Sequence, residues 1–254
     1  TMAGANIRPR ERSAILQSLM AGVVPRIGLH HIQVGRKDET EALLADLDRT
    51  AAYLYQEVGR CTNNFTTRPD KGGLSPVQQL ICAAIAEKTG ADVVLHGLLA
   101  AYPLRAGPIR QRDIWGVIPY ENRVACAWLT PAEITALLEE NASLLESHYF
   151  MGVYGLSYEL RPDAPPGRRV QGVRGEHGEV IHARKRLKVA FNSFTAASGG
   201  QRFPQLRRII EEPQARLEMT AFDTREALTD YVRKHRPLTA PWRAQVRVVR
   251  ENKR

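Results

Sequence analysis

The stretch SPVQQLICAAIAEKTGADVVLH, residues 75–96, predicts a capped helix followed directly by a buried strand. Ser75 has the side chain of an N-cap, Pro76 suits the first helical position, and Gln78 completes a capping box. Gly90 is the expected helix end, and the apolar run ADVVLH has the length of a strand. A helix leading into a buried strand is typical of a layered α/β domain.

Helices and strands alternate on both sides of this stretch. Upstream, Asp38 and Glu41 form a second capping box, and near-helical apolar spacing predicts a helix that continues to Gly59. Downstream, VACAWL is predicted to be a strand, and Thr130 begins a helix whose apolar face extends to Leu145. Interleaved elements of this kind predict an α/β or α+β fold with a mixed sheet.

The second half of the chain adds a hairpin-rich region and two short helices. MGVYGLSYEL, residues 151–160, alternates like one strand, and two further strands are expected to flank the turn GEHG. VAFN continues the sheet, and after the small residues of TAASGG the segment FPQLRRII forms a short helix. Asp223 with Glu226 caps a final helix that ends near Lys234.

This pattern divides the chain into three parts. Residues 1–50 are expected to form a helical N-terminal segment, in which a first helix near residues 10–20 precedes the one that begins at Asp38. Residues 51–240 form the main layered domain, and residues 241–254 form a basic tail. A chain of 254 residues is long enough to bury the core of one large domain with a small appendage.

The composition indicates a soluble globular protein with a basic surface. Hydrophobic residues make up 43% of the chain and charged residues 25%, and the formal charge is +9. The basic residues are spread along the whole chain, which favours solvated faces and a charged tail over a nucleic-acid-binding stripe. Nucleic acid is therefore the less favoured partner.

Neither a membrane span nor an export signal is visible. No segment is long and apolar enough to cross a bilayer, and charges interrupt the region where a signal peptide needs an apolar core. As written, the chain is expected in the cytoplasm. Cys61, Cys82 and Cys126 lie far apart and form no C-x-x-C pair, so buried free thiols are expected.

The sequence lacks the signatures of a catalytic site. It contains neither the P-loop G-x-x-x-x-G-K-[ST] nor the nucleophile elbow G-x-S-x-G. His30 and His31 are the one close pair among seven histidines, and adjacent side chains point in different directions on a helix or strand. No catalytic residue, metal site or cofactor is therefore expected in this chain.

Five passages in a fixed order carry a resemblance to a known family. They are SPVQQLICAAIAEKTGADVVL, LRAGPIRQRDIWGVIPYENRV, LTPAEITALLEEN, VYGLSYELRPDAPPGRRV and VAFNSFTAASGGQRFP. Together they make residues 50–240 similar to the C-terminal domain of the 5′-nucleotidase family, the nucleotidase and UDP-sugar hydrolase group. The resemblance implies a layered α/β domain that recognises the substrate of a nucleotide-degrading hydrolase. The family's two catalytic metal ions lie in a separate N-terminal metallophosphatase domain.

The resemblance also implies a set of ligand contacts. In the family the base lies between two aromatic rings, which correspond here to Tyr120 and Phe194, with Asn122 as the neighbouring polar contact. The turn at Gly199 and Gly200 then brings the backbone against the ligand. Each stacked face contributes roughly 1–3 kcal/mol. The alternative is that both rings are core aromatics.

Two departures from the family pattern affect this site. HGLLAA, residues 96–101, stands where the family has Asn-Gly-Gly-Gly-Ile-Arg, so the arginine expected near the charged side of a nucleotide is missing. Arg105 or Arg112 is the candidate replacement as a phosphate or sugar contact. Gly-Gly-Gln-Arg at residues 199–202 replaces Gly-Gly-Asp-Gly and removes a carboxylate. Unmatched polar groups are costly in a buried site, which argues against specificity for an ordinary mononucleotide.

The beginning of the chain carries a second resemblance. Residues 8–47 resemble the opening of BREX-system ATP-binding proteins, but the P-loop of those proteins does not follow, so a helical hairpin is expected rather than ATP binding.

Two functions are left open. The first is a substrate-recognition domain of a 5′-nucleotidase-like phosphohydrolase that acts with a metallophosphatase domain in trans. The alternative is a non-catalytic interaction module with a decayed pocket, whose basic surface binds a polyanion or a protein. The 5′-nucleotidase family is usually periplasmic or extracellular, which leaves the location open.

Overall fold

The computed structural model describes residues 37–69, 74–239 and 246–250, without the side chains of residues 37–43. Helices and strands alternate through these ranges. The helices are α1 (Lys37–Tyr55), α2 (Pro76–Thr89), α3 (Gln111–Val117), α4 (Pro131–Ala142), α5 (Ser193–Ala196), α6 (Pro204–Glu211) and α7 (Thr224–Lys234). The strands are β1 (Glu57–Cys61), β2 (Val93–Gly97), β3 (Gly107–Arg110), β4 (Arg123–Leu129), β5 (Met151–Tyr154), β6 (Leu156–Leu160), β7 (Val170–Gly175), β8 (Leu187–Asn192), β9 (Glu218–Asp223) and β10 (Val246–Val248).

Helix α2 forms as its sequence predicts. The Oγ of Ser75 accepts the backbone N–H of Gln78 at 3.2 Å, and the Oε1 of Gln78 accepts the Ser75 N–H at 2.9 Å. Gly90 follows the helix with φ of 63°, which glycine adopts without strain. The Gln78 amide also donates to the Phe150 carbonyl at 2.7 Å, so the cap is tied to the chain that enters β5.

The caps predicted for α4 and α7 also form. Thr130 Oγ1 accepts the Glu133 N–H at 3.3 Å, and the Asp223 carboxylate accepts the Glu226 N–H at 2.8 Å. Helix α4 ends at Ala142, three residues before the predicted end, and the chain continues through turns towards β5.

A five-stranded mixed sheet with the order β5-β2-β8-β4-β9 forms the centre of the domain. Strands β2 and β8 are parallel, and the other neighbouring pairs are antiparallel. Asn192 at the end of β8 lies opposite Val124 of β4, and Gly97 at the end of β2 lies opposite Met151 of β5. The ends of β2 and β8 therefore meet the starts of β4 and β5 at one edge of the sheet.

Two hydrophobic cores cover the two faces of this sheet. Along β2, Val94 belongs to one core, whereas Val93 and Leu95 belong to the other. Residues of α2 and α7 pack on the first face, and residues of α4 and α6 pack on the second. A smaller sheet with the order β10-β6-β7 and the pair β1-β3 complete the domain. The predicted layered α/β architecture with a mixed sheet is confirmed.

The prediction that α1 continues to Gly59 is wrong, since the helix ends at Tyr55. Val58 and Gly59 belong to β1, which pairs antiparallel with β3. Gly59 lies so close to α7 that an added Cβ would be 2.5 Å from the Val232 side chain. The apolar spacing concealed this change because Val58 is buried in the strand as it would be in a helix.

Residues 151–160 form two strands in different sheets, so the prediction of one continuous strand is wrong. Gly155 separates β5 from β6 with φ of 80°. An added Cβ at Gly155 would lie 1.8 Å from the carbonyl oxygen of Asp92, so the chain can turn here only with glycine. Side chains alternate on both sides of the glycine, which is why the sequence pattern concealed the break.

Only the first of the two strands expected around GEHG is present. Strand β7 precedes the turn, but residues 176–186 contain no strand. Glu179 closes the turn instead, because its backbone oxygen accepts the Gly175 N–H at 3.0 Å and its carboxylate accepts the His177 N–H at 3.0 Å. These local bonds replace the ladder that a hairpin would need.

The predicted boundaries at residues 50 and 240 stay predictions. The helix expected near residues 10–20 lies outside the described residues, and so does most of the basic tail. The side chains of the capping box predicted at Asp38 are not described either. Within the described ranges, no helix has the length and apolar character needed to span a bilayer.

Candidate functional site

A cavity of about 390 Å³ lies at the edge of the central sheet where β2 and β8 end. We call it the aromatic cavity. Four residues predicted from separate passages of the sequence line it together: Tyr120, Asn122, Phe194 and Gly199. Gly200 belongs to the same turn as Gly199 but is not part of the lining.

Both predicted stacking rings are exposed rather than buried in a core. Tyr120 has 57% of its surface exposed and Phe194 has 50%. The loop that carries Tyr120 is hydrogen-bonded to the start of α7. The backbone oxygen of Asn122 accepts both the N–H of Thr224 at 3.0 Å and its hydroxyl at 3.2 Å. The alternative that these rings are core aromatics does not fit this exposure.

Phe194 is positioned by a buried polar group at the end of β8. The Oδ1 of Asn192 accepts the Thr195 N–H at 2.7 Å and so caps the short helix α5 that carries Phe194. The Nδ2 of Asn192 lies 3.4 Å from the Nε2 of His96, whose Nδ1 is 2.7 Å from the Gly97 carbonyl oxygen. A neutral imidazole with its proton on Nδ1 satisfies both contacts.

His96 is fully buried, and this burial lowers its pKa to about 4. The imidazole is therefore uncharged at neutral pH and acts as an acceptor for Asn192. Through this contact, a residue with no exposed surface supports the position of the exposed Phe194 ring.

The Gly-Gly turn has a left-handed backbone over four consecutive residues. The φ angles of Ser198, Gly199, Gly200 and Gln201 are 75°, 56°, 69° and 69°. The turn folds back on the site, because the Gly199 N–H donates to the Phe194 carbonyl at 2.8 Å. A Cβ at Gly199 would lie 2.9 Å from the buried ring of Phe203. The close approach at this turn is therefore to Phe203.

Two further side chains of the aromatic cavity were not predicted from the sequence. The guanidinium carbon of Arg202 lies 3.7 Å from the centre of the Tyr149 ring and 5.7 Å from the centre of the Phe194 ring. Tyr149 is 40% exposed and also contacts the His148 ring, with 3.8 Å between ring centres. The exchange of Gly-Asp-Gly for Gly-Gln-Arg marks Arg202 as unusual in the sequence, whereas no motif marks Tyr149.

The aromatic cavity has a positive lining. Arg202 supplies this charge, and the described residues of the lining include neither Asp nor Glu. A ligand here meets ring faces, amide groups and a guanidinium. This environment suits a flat, largely uncharged group that carries hydrogen-bond acceptors.

The candidate phosphate contacts Arg105 and Arg112 line a different cavity of about 410 Å³, together with Arg110 and Asp113. We call it the arginine cavity. The Asp113 carboxylate accepts the hydroxyl of Tyr102 at 3.0 Å and the backbone N–H of Arg110 at 2.7 Å. The Nε of Arg112 lies 3.9 Å from the same carboxylate, and three guanidinium groups beside one carboxylate leave an excess of positive charge.

The described residues offer little for covalent or metal chemistry. No group of three His, Cys, Asp or Glu side chains among them could hold a metal ion. Cys61, Cys82 and Cys126 are buried free thiols, as predicted. Burial raises the pKa of Cys61 to about 11 and that of Cys82 to about 12, so neither is a thiolate nucleophile at neutral pH.

Sequence comparison finds matches to two family profiles. The profile described as 5′-nucleotidase, C-terminal domain, matches residues 57–208. The profile described as BREX system ATP-binding protein BrxC/D matches residues 7–54, and no P-loop sequence follows that match. No curated protein sequence matches the chain significantly.

Solved structures share the fold over most of the chain. The 5′-nucleotidase precursor from Thermus thermophilus is 26% identical with a TM-score of 0.69, over 83% of this chain and 43% of its own. The NAD nucleotidase from Haemophilus influenzae is 18% identical with a TM-score of 0.69, over 98% and 46%. The sulfate thiohydrolase from Thermus thermophilus is 21% identical with a TM-score of 0.64, over 87% and 40%. The chain spans less than half the length of each of these proteins.

Proposed function

This chain belongs to the 5′-nucleotidase C-terminal domain family, and from that membership we propose that its aromatic cavity binds the nucleoside part of a nucleotide. One observation carries the proposal. Tyr120 and Phe194, which the family resemblance implies as the two stacking rings, line the same cavity and are half exposed. Exposed rings at a concave site are suited to stack on a base.

The surroundings of the rings support the same ligand class. A cavity of about 390 Å³ is within the size range of small-molecule sites. The amide of Asn122 lies beside Tyr120 in the lining and can pair with a base edge or a sugar hydroxyl. The absence of carboxylates among the described lining residues leaves no like charge to repel a phosphate that follows the nucleoside.

The proposed role is substrate recognition for a nucleotide hydrolase. In the family, phosphate release takes place at two metal ions held by a separate metallophosphatase domain. We therefore expect this chain to bind a nucleoside or nucleotide and to need that domain for turnover. The Thermus thermophilus relative, at 26% identity, is a 5′-nucleotidase precursor, which supports nucleotide hydrolysis as the reaction of the complete assembly.

Calorimetric titration of the purified chain with adenosine, guanosine, AMP and UDP-glucose tests the proposal. We expect saturable binding of at least one of them. Tyr120→Ala should weaken it roughly 5- to 150-fold, because a stacked face is worth about 1–3 kcal/mol. Tyr53→Ala is the matched control, since Tyr53 is an exposed tyrosine on α1 outside the aromatic cavity.

If none of the four ligands binds to a chain whose thermal transition shows that it is folded, the proposal is contradicted. Equal weakening by Tyr120→Ala and Tyr53→Ala would contradict the placement of the site. The phosphate contacts predicted at Arg105 and Arg112 are part of the proposal. Because both line the arginine cavity, a nucleotide must extend out of the aromatic cavity to reach them.

A further inference from the structure

Arg202 brings a guanidinium group into the aromatic cavity beside a proposed stacking ring. Its 3.7 Å separation from the Tyr149 ring centre is that of a stacked cation. The guanidinium also lies over the Phe194 ring, at a longer distance of 5.7 Å from its centre. A base that stacks on this face of Phe194 must therefore share it with Arg202, whose N–H groups then face the edge of the base.

The turn before Arg202 holds the guanidinium in this place. Residue 203, directly after it, is a buried phenylalanine, and the four residues directly before it have left-handed backbone angles. An added Cβ at Gly200 would lie 3.3 Å from a guanidinium nitrogen of Arg202. The Arg202 side chain thus folds back across the glycine turn and stacks on the Tyr149 ring.

The Arg202 guanidinium has N–H donors available for a ligand, and no acidic group of the lining faces it. Arginine carries five N–H donors and no acceptor. Since the described lining residues include no Asp or Glu, no carboxylate of the lining competes with a ligand for these donors. A ligand edge that presents a donor towards Arg202 would leave both groups unsatisfied, which is costly in a partly desolvated site.

We propose that Arg202 makes the aromatic cavity selective for purines with two neighbouring acceptors, as guanine and hypoxanthine have at N7 and O6. The inference rests on the proposed nucleoside function. Arginine pairs with these two atoms through two parallel N–H groups, and this is its commonest base-specific contact. Adenine keeps N7 but carries an amino group beside it, so one N–H of Arg202 faces a donor.

Calorimetric titrations with guanosine, inosine, adenosine and 7-deazaguanosine test the selectivity. Guanosine and inosine should bind tighter than adenosine by roughly 5- to 150-fold, the discrimination that a bidentate pair provides. 7-Deazaguanosine, which lacks the N7 acceptor, should lose a large part of that advantage. Inosine has N7 and O6 but lacks the 2-amino group of guanosine, so its affinity reports the contribution of the N7 and O6 edge alone.

Two substitutions sharpen the test. Arg202→Gln should reverse the order of adenosine and guanosine, because a glutamine amide pairs with N6 and N7 of adenine. Arg202→Lys should weaken guanosine more than adenosine, because an ammonium lacks the planar fork of donors. Arg184→Gln is the matched control for the loss of one exposed positive charge outside the cavity lining, and it should leave the order unchanged.

The outcomes separate this inference from the function it rests on. Equal affinity for guanosine and adenosine, unchanged by Arg202→Gln, would overturn the selectivity and leave the nucleoside site standing. Tighter binding of every nucleoside by Arg202→Gln would also overturn it, since Arg202 would then be covering Phe194. If no nucleoside binds to a folded wild-type chain, the proposed function itself fails, and the selectivity fails with it.

Discussion

The aromatic cavity and the arginine cavity are neighbours along the chain but offer a ligand different chemistry. The segment between β2 and β3 contributes to both, and α3 separates Arg112 near its start from Tyr120 beyond its end. The first cavity presents ring faces and one guanidinium, whereas the second presents three guanidinium groups beside one carboxylate. Salt weakens binding through ionic contacts because it screens charges, whereas it has little effect on the stacking of an uncharged base. Binding of a nucleoside can therefore be separated experimentally from binding of its phosphate.

The two cavities also differ in how their residues are held. The aromatic cavity depends on a left-handed turn and on a buried imidazole. In the arginine cavity, Arg110 and Arg112 instead lie over the ring of the exposed Tyr55, at 5.7 and 4.9 Å from its centre. Changes to the supporting structure should thus damage the aromatic cavity more than the arginine cavity.

The largest effect is expected for Gly199→Ala. The left-handed backbone and the approach of the Cβ to Phe203 together should lower the free energy of unfolding by about 2–5 kcal/mol. Gly90→Ala is the control, because Gly90 has a similar φ of 63° with nothing within 4 Å of the added Cβ. Urea unfolding of the two variants measures the steric part as their difference. An equal loss of unfolding free energy in both variants would mean that the Phe203 ring moves aside without an energetic cost.

A nearly equal loss of stability is expected at acid pH, because His96 becomes protonated when the chain unfolds. Its folded pKa of about 4 lies below the unfolded value of about 6.5, so the unfolded chain binds the proton first. Stability should be complete above pH 6.5 and should fall by roughly 3 kcal/mol as the pH drops towards 4. His96→Asn, which replaces the imidazole by a side chain that does not titrate, should flatten this slope in urea unfolding measured across that range. A slope that survives the substitution would assign it to another group.

A smaller effect is expected in the arginine cavity. If the phosphate of AMP reaches it, Arg105→Ala and Arg112→Ala should each weaken AMP about tenfold, the value of roughly 1.5 kcal/mol for a hydrogen bond to a charged group. Adenosine serves as the internal control and should bind these variants unchanged. Equal losses for AMP and adenosine would show that the substitutions act on the fold instead of on the phosphate.

The smallest effect is expected from salt on an uncharged nucleoside. Raising the ionic strength from about 0.1 M to about 1 M shortens the Debye length from about 10 Å to about 3 Å. Binding of guanosine or adenosine should change less than about twofold, whereas AMP should weaken clearly. A strong salt dependence for the uncharged nucleosides would contradict stacking as their main contact.

Local signals in the sequence predicted local structure well. Ser75, Thr130 and Asp223 cap their helices because each cap depends on residues within three positions of it. The grouping of Tyr120 with Phe194 came from the family resemblance, which already contains the long-range fold.

Features that depend on distant neighbours were missed. The turn at Gly155 is set by the carbonyl of Asp92, and the strand at Gly59 is set by contact with Val232. Likewise, the role of Arg202 depends on Tyr149, which no motif identifies. In each case, the deciding partner lies more than 50 positions away in the sequence.

The parallel pairing of β2 with β8 also determines how the protein assembles. The His96–Asn192 contact at the end of these strands joins residues 96 positions apart. Closing a loop of that length costs entropy before any contact repays it, and such non-local pairings slow folding. During synthesis, Tyr120 leaves the ribosome long before Phe194 and its glycine turn. The proposed binding site is therefore among the last parts of the domain to mature, and the edge of β2 lacks its neighbour until then.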